Sequence, residues 1–528
     1  MVTRHGFGWT SALLSLSCGP SGIDGSSDTS GLSTATSTAT TTTGSTTGAA
    51  VDTSGTGTST GTGTTIGTTM ALEDDTANDA PNFDVTPPRN DVSIPGVVGI
   101  PQTCGEAETT QSTVGCSFHA AKLQNFSESA SSLVIGNVAD DATATVQLYW
   151  GPGGVEEPVG DPIEVLPGET HEFVLNDPPQ PGDVSVLRAG GAYRVQSDVP
   201  LVAYQHSPIV AQATNDSSLL IPDHALGQFY IVATWETTLG GYTSAFNVVG
   251  VEDGTMVEWT PPYATSAGAG VPAVAAMATA SVSVDHYDLL QVIAPIDASG
   301  TIIETSKPAW VVGTIPCTNI PAGVTYCDHI EELLIPLEYW GDEYVGAHAP
   351  TRGAESYWWR LYSASDGVTI TTDPPQPGTP VMLDRGEFHE FSTQESFIAT
   401  ANGAFMPVQY LEGTDGGAGT GDPASYQMVP AAQFLPRYVF VTGYGYSQNY
   451  AQIIRPQGGA PVLVDGVVVD GYTQVGDYEV ADWPITEGAH VADSDDPFGV
   501  IQVGYTDVTS YAYPGGLALG FINPSPQG

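Results

Sequence analysis

Residues 191–234 read GAYRVQSDVPLVAYQHSPIVAQATNDSSLLIPDHALGQFYIVAT. Leu201–Gln205 and Phe229–Thr234 are short runs of β-branched and aromatic residues bounded by Pro, Asn, Asp and Gly, the pattern of strands between turns. Asn215-Asp216 supplies a turn between them. The contiguous apolar residues of Ser218–Pro222 read as a strand covered on both faces. Pro222 closes that run, because it has no N–H to give to a ladder. The same punctuation continues outward, with strands expected at Thr145–Trp150, Trp310–Thr314, Val439–Thr442 and Val500–Tyr505. Sustained 3.6-residue periodicity is missing, so the fold class is all-β.

A longer period lies over these strands. Leu220-Ile221-Pro222, Leu334-Ile335-Pro336 and Met428-Val429-Pro430 each join two apolar residues to a proline, and eight residues beyond each proline stands a tyrosine: Tyr230, Tyr344 and Tyr438. Four segments (197–205, 306–314, 401–410 and 495–505) repeat a polar turn followed by an apolar strand. Gly168-Glu169-Thr170-His171-Glu172-Phe173 has a second copy in Gly386-Glu387-Phe388-His389-Glu390-Phe391. The pattern predicts about four tandem or intimately packed β-sandwich-like modules, in approximate units 91–210, 211–320, 321–415 and 416–528.

The segment that opens this section also resembles the core of the N-terminal domain family of IgG-Fc-binding proteins. The matching pieces are Val199–Gln205, then Asn215–Pro222, then Ala225–Tyr230. The flanking strands extend the likeness over roughly residues 110–515. The resemblance implies an all-β binding domain. It assigns no ligand-contacting residue, so antibody binding does not carry over position by position.

The N-terminus reads MVTRHGFGWTSALLSLSC, with basic Arg4 and His5, a short apolar run and a small residue before Cys18. It resembles a bacterial lipoprotein signal, which makes residues 1–18 a signal peptide and Cys18 the lipidated residue. From Gly25 to Met70, 36 of 46 residues are Ser, Thr or Gly, too polar to build a core. Residues 19–90 are therefore read as a disordered tether between the anchor and the β region that begins at 91. Cys104, Cys116, Cys317 and Cys327 remain. Three pairings are open to them, and proximity favours Cys104–Cys116 and Cys317–Cys327. Disulfides place the chain in an oxidising compartment.

With 11 Lys+Arg against 59 Asp+Glu, the net charge is −48. Only seven of those acids precede residue 81, so the β region is itself acidic. Such a surface repels phosphates, which excludes nucleic acid and leaves the lipid anchor as the membrane contact. HExxH and Cys–His motifs are absent, and no catalytic residue, metal ligand or cofactor is assigned. His171 and His389 are each followed by Glu, but strand geometry turns neighbouring side chains to opposite faces. Asp140-Asp141 and Asp493-Ser494-Asp495-Asp496 lack the spacing of a calcium loop and read as solvated turns. Tyr444, Tyr446 and Tyr450 fit recognition or core equally. In Tyr357-Trp358-Trp359 the inward-pointing tryptophan is assigned to the core. The expected protein is an exported, non-catalytic binding or adhesion lipoprotein of the outer membrane or cell surface, with an unknown extracellular protein or glycan as partner. The alternatives are a hydrolase on carbohydrate or peptide, and a structural envelope component.

Overall fold

The computed structural model describes residues 100–110, 112–211 and 214–527. The signal peptide, Cys18 and the Ser/Thr/Gly tether lie outside the described residues. After a short helix at Cys104–Thr110, the described chain runs almost entirely through strands and turns, with a few 3₁₀ turns.

The third unit shows the plan. One sheet orders Glu343–Gly346, Phe397–Ala401, Val368–Asp373 and Val381–Leu383; the other orders Phe388–Thr393, Tyr357–Ser363, Phe405–Tyr410 and Ser425–Gln427. Every pairing is antiparallel. The same eight-strand order recurs from Phe229 to Leu333, where Val186–Arg188 adds an edge strand. It recurs again from Gly115 to Leu219 and from Leu435 to Pro514. In these outer units the sixth and seventh strands fuse into single strands, Ala192–His206 and Ala489–Thr506, of 15 and 18 residues. Each serves both sheets of its sandwich, which is how the polar turn before each apolar run in the sequence is used.

Sheet pairing runs past the expected unit ends at 210, 320 and 415. The eighth strands Ser217–Leu219, Asp328–Leu333 and Ser425–Gln427 pair with the seventh strands of their own units. Each Leu-Ile-Pro-type motif therefore sits at a junction. After Pro222, Pro336 and Pro430 comes one 3₁₀ turn, then the first strand of the next unit.

The three tyrosines occupy equivalent places. Tyr230 pairs with Ile303, Tyr344 with Ala399 and Tyr438 with Ala492, each across a first-to-sixth strand ladder. All are buried. Each hydroxyl accepts a hydrogen bond from the backbone N–H three residues upstream: Gly227 at 3.0 Å, Gly341 at 2.9 Å and Leu435 at 2.8 Å. His171 and His389 likewise share a place, on the fifth strands of the first and third units.

The units are joined at their prolines. A Cβ on Gly115, Gly227 or Gly341 would stand 2.3, 2.4 or 2.7 Å from the Cβ of Pro222, Pro336 or Pro430 respectively, so only glycine admits the next unit's proline so closely. The fourth unit closes back on the first. The Tyr204 hydroxyl donates to the Val439 carbonyl at 2.7 Å, and Thr113 N–H donates to Leu517 O at 3.1 Å. The four eighth strands pack on one another in a cycle, first against second, second against third, third against fourth and fourth against first. The core is thus continuous through all four units. Cys104–Cys116 and Cys317–Cys327 are the two disulfides, the local pairing. Among the described residues no helix is long and apolar enough to cross a membrane.

Candidate functional site

Two places gather polar groups in the ring of units. The first is its centre. The inner eighth strands and the turns leading into them carry Asp216, Asp328, Glu331, Glu332 and Asp422, all buried. Asp216 accepts backbone N–H bonds from Ser217 at 2.9 Å, Glu331 at 3.2 Å and Ser425 at 3.2 Å, so one carboxyl ties three units together. Thr509 donates to Asp328 at 2.6 Å and brings in the fourth. Loss of solvent pushes Asp216, Asp328 and Glu332 well above the ordinary carboxylate range, and Asp422 up to about 6. These acids are the sealed hub of the fold rather than a surface.

The hub has a measurable consequence. A carboxyl whose pKa is raised by folding holds a proton in the folded chain that it has released in the unfolded one. Stability is then fully present below the unfolded pKa and is lost as pH rises through the folded value. For Asp422 the window runs from 3.8 to about 6. The unfolding free energy, and with it the urea midpoint, is expected to be higher at pH 5 than at pH 8, the free energy by up to about 1.4 kcal/mol per carboxyl for each pH unit crossed below its folded pKa. Asp422→Asn should flatten part of that slope. A midpoint that climbs between pH 5 and pH 8 would show that the hub acids are ionised.

The second place is an open cleft of about 610 Å³ between the third and fourth units. Its walls come from His348, which follows the third unit's first strand, from the Glu395-Ser396 turn, and from Gln452 and Asp482 on neighbouring strands of the fourth unit. The hairpin carrying Thr473–Val475 forms the lip. Gly476 lies in its turn with φ +57°, and a Cβ there would meet Ile398 at 2.6 Å, so this glycine seats the lip on the third unit. A second groove of about 300 Å³, lined by Glu343, Asp373, Thr400 and Tyr478, continues beyond it.

Gln452 organises the floor. Its Nε2 donates to the His348 carbonyl at 2.7 Å and to Asp482 at 2.9 Å, while its Oε1 is buried with no hydrogen-bond partner in the protein. The His348 ring stacks on Tyr357 at 4.5 Å, and its Nδ1 donates to Ala349 O at 2.9 Å, which leaves the Nε2 lone pair as an acceptor. Burial raises the Asp482 carboxyl, against the opposing pull of Gln452 and His348. Fixed acceptors beside an acid inclined to keep its proton suit a ligand rich in hydroxyl or amide groups.

The residues singled out from sequence go elsewhere. Trp359 is buried against Phe397 at 5.0 Å, while Trp358 is half-buried. Tyr446 is core, packed on Tyr511 at 4.6 Å, and Tyr444 and Tyr450 are half-buried. His389 donates from Nε2 to Pro377 O at 2.8 Å, and His171 lies against Phe173 at 4.7 Å. The two acidic clusters meet at one cation, since Arg437 contacts both Asp140 and Asp493 at 3.1 Å across the first and fourth units. The cleft residues His348, Gln452 and Asp482 were not found from sequence. They are single polar residues with no motif around them, and only packing of two units brings them together.

The fold is thus a closed set of four sandwiches with a polar cleft between two of them, and its disulfides fit an oxidising compartment. The family described as IgGFc binding protein matches residues 216–504, more than half of the chain, and the protein belongs to that family. The match starts at hub residue Asp216 and ends within the last long strand. The human (Homo sapiens) IgGFc-binding protein is 24% identical over 335 residues, 60% of this chain and 6% of that relative, so the likeness covers a small part of the larger protein. Family membership points to a binding role rather than a catalytic one.

Proposed function

We propose that this protein is an exported binding or adhesion lipoprotein, held at the outer membrane or cell surface through Cys18. Residues 19–90 would serve as its tether and the four β units as its recognition body. Its partner is an extracellular protein or glycan taken up in the cleft between the third and fourth units. The observation that carries the reading is the polar cleft of about 610 Å³ itself, with His348, Gln452 and the burial-raised Asp482 on its walls. The relative's printed name supports a protein ligand, and the cleft's hydroxyl-matching chemistry supports a glycan.

The test is a glycan and protein array, with Fc fragments included, probed with the purified chain and with Gln452→Ala and Asp482→Asn. Binding that falls at least tenfold in both variants supports the reading. Binding unchanged in both removes the cleft from it. A washed-membrane fractionation of Cys18→Ala tests the anchor, since the variant should leave the membrane.

A second reading has one observation in its favour. Asp482, raised by burial, and Glu395 both line the cleft, two carboxyl groups in one site as in glycoside hydrolysis. Turnover of a glycoside panel that vanishes in Asp482→Asn would put this reading first.

A further inference from the structure

The first and second units meet at a second constellation, away from the cleft. His119 lies on the first strand of the first unit and is buried, and His286 lies in the turn before the second unit's fifth strand. They are 167 residues apart, and their Nε2 atoms approach to 3.1 Å. Asp223, in the 3₁₀ turn after Pro222, bonds the far nitrogen of His119, Nδ1, at 2.7 Å. Ser117 donates to the other oxygen of the same carboxylate. The His286 ring is stacked on Tyr287 at 4.0 Å. The Tyr287 hydroxyl donates to Glu156, and Arg194 pairs with Glu156 at 2.8 Å. Tyr287 itself has φ +70°, rare for a bulky residue, and its ring lies over Gly151, where a Cβ would stand 2.4 Å away.

We propose that His119 and His286 bind a first-row divalent transition-metal ion, of the zinc, cobalt or nickel kind. An imidazole nitrogen sits about 2.0–2.1 Å from such an ion, so two neighbouring ligands stand about 2.9–3.4 Å apart in square-planar to tetrahedral geometry. The observed 3.1 Å falls in that interval. The pair also has the outer support that metal-bound histidines show. The Asp223 carboxylate holds the Nδ1 proton of His119, which turns the lone pair of Nε2 toward His286 and raises its basicity. Two neutral rings at this distance share one hydrogen bond, with His286 donating. On metal binding, the His286 Nε2 proton moves to its Nδ1, and no net proton is released.

The surrounding charge favours a cation. Asp223 and Glu156 oppose the single cation Arg194, so the site carries about one negative charge with neutral imidazoles. His286 is half-buried and Glu156 is part-exposed, which leaves the site open on that side. Among the described residues no three His, Cys, Asp or Glu side chains converge as ligands. A bound ion would therefore keep open positions for water or for a donor group on a partner.

The full chain is titrated with Zn²⁺ by calorimetry and with Co²⁺ by visible absorption, beside His286→Ala, His119→Ala and Asp223→Asn. One Zn²⁺ per chain should bind in the wild type over any background from His5 and Cys18. That stoichiometric step should vanish in His286→Ala, whose half-buried position lets circular dichroism verify an intact fold. Asp223→Asn should bind about 10–100-fold more weakly. Co²⁺ should give ligand-field bands that His286→Ala lacks. Identical isotherms for wild type and folded His286→Ala, or no step in the wild type, overturn the proposal.

Discussion

Arg360→Ala is expected to destabilise the protein by about 3–5 kcal/mol, the usual cost of leaving one partner of a buried ion pair alone. Arg360 is on the second strand of the third unit and is almost fully buried. Its guanidinium reaches Asp297 at 3.0 Å, the Thr234 carbonyl at 3.0 Å and Ser299 at 2.9 Å, all in the second unit, and Glu390 at 2.9 Å in its own. It also lies over the Trp235 ring at 4.0 Å and the Phe388 ring at 4.5 Å. The neighbouring carboxylate Asp297 holds the guanidinium above its ordinary pKa despite burial, so it stays charged. Truncation strands Asp297 in the interior without its cation. The paired change Arg360→Met with Asp297→Leu should recover most of the loss, because an apolar pair of similar volume removes both charges together. Urea unfolding of the single and double variants decides this. A single-variant cost under about 1 kcal/mol would mean that water reaches Asp297 and that the joint between the second and third units is soft.

Tyr230→Ala is expected to cost about 3–5 kcal/mol, the range for removing a large buried ring. Tyr344→Ala and Tyr438→Ala should fall in the same range, because the three sites share strand, burial and hydroxyl partner. Tyr→Phe at each site isolates the hydroxyl and should cost about 1 kcal/mol, since the upstream N–H then loses its acceptor in a dry place. Tyr230 and Tyr438 have a stronger hold than Tyr344, because their hydroxyls also donate, to Ala309 O at 2.6 Å and to Phe498 O respectively. Unfolding midpoints for the six variants would test the equivalence. Three dissimilar Ala costs would mean that the units have diverged in packing even where their backbones agree.

Much of this was legible in the chain. Period-2 apolar runs between Gly, Pro and Asp give strands, because alternate side chains face one core and because those residues break ladders. The eight-residue step from proline to tyrosine marked a repeat, since both residues act locally: the proline ends a strand and the tyrosine starts one. The disulfides joined near neighbours, so proximity was enough. What was not legible depended on distant residues. The unit ends were read one strand early, because an apolar run does not reveal which strand it will ladder with, and Asp328–Leu333 pairs back onto Ala309–Thr318. Arg360 was passed over beside its aromatic neighbours, because its partner Asp297 lies 63 residues upstream. His348 with Asp482, and His119 with His286, are ordinary polar residues in sequence. Their chemistry comes from desolvation and from separations of a few ångströms, which only the packing of one unit on another creates. The sequence by itself determined the strands, the repeat and the local pairing of the four cysteines. The tertiary structure decided the closed cycle of units, the buried hub and where polar groups meet, because local pattern governs secondary structure while charge burial and long-range contact belong to the assembled fold.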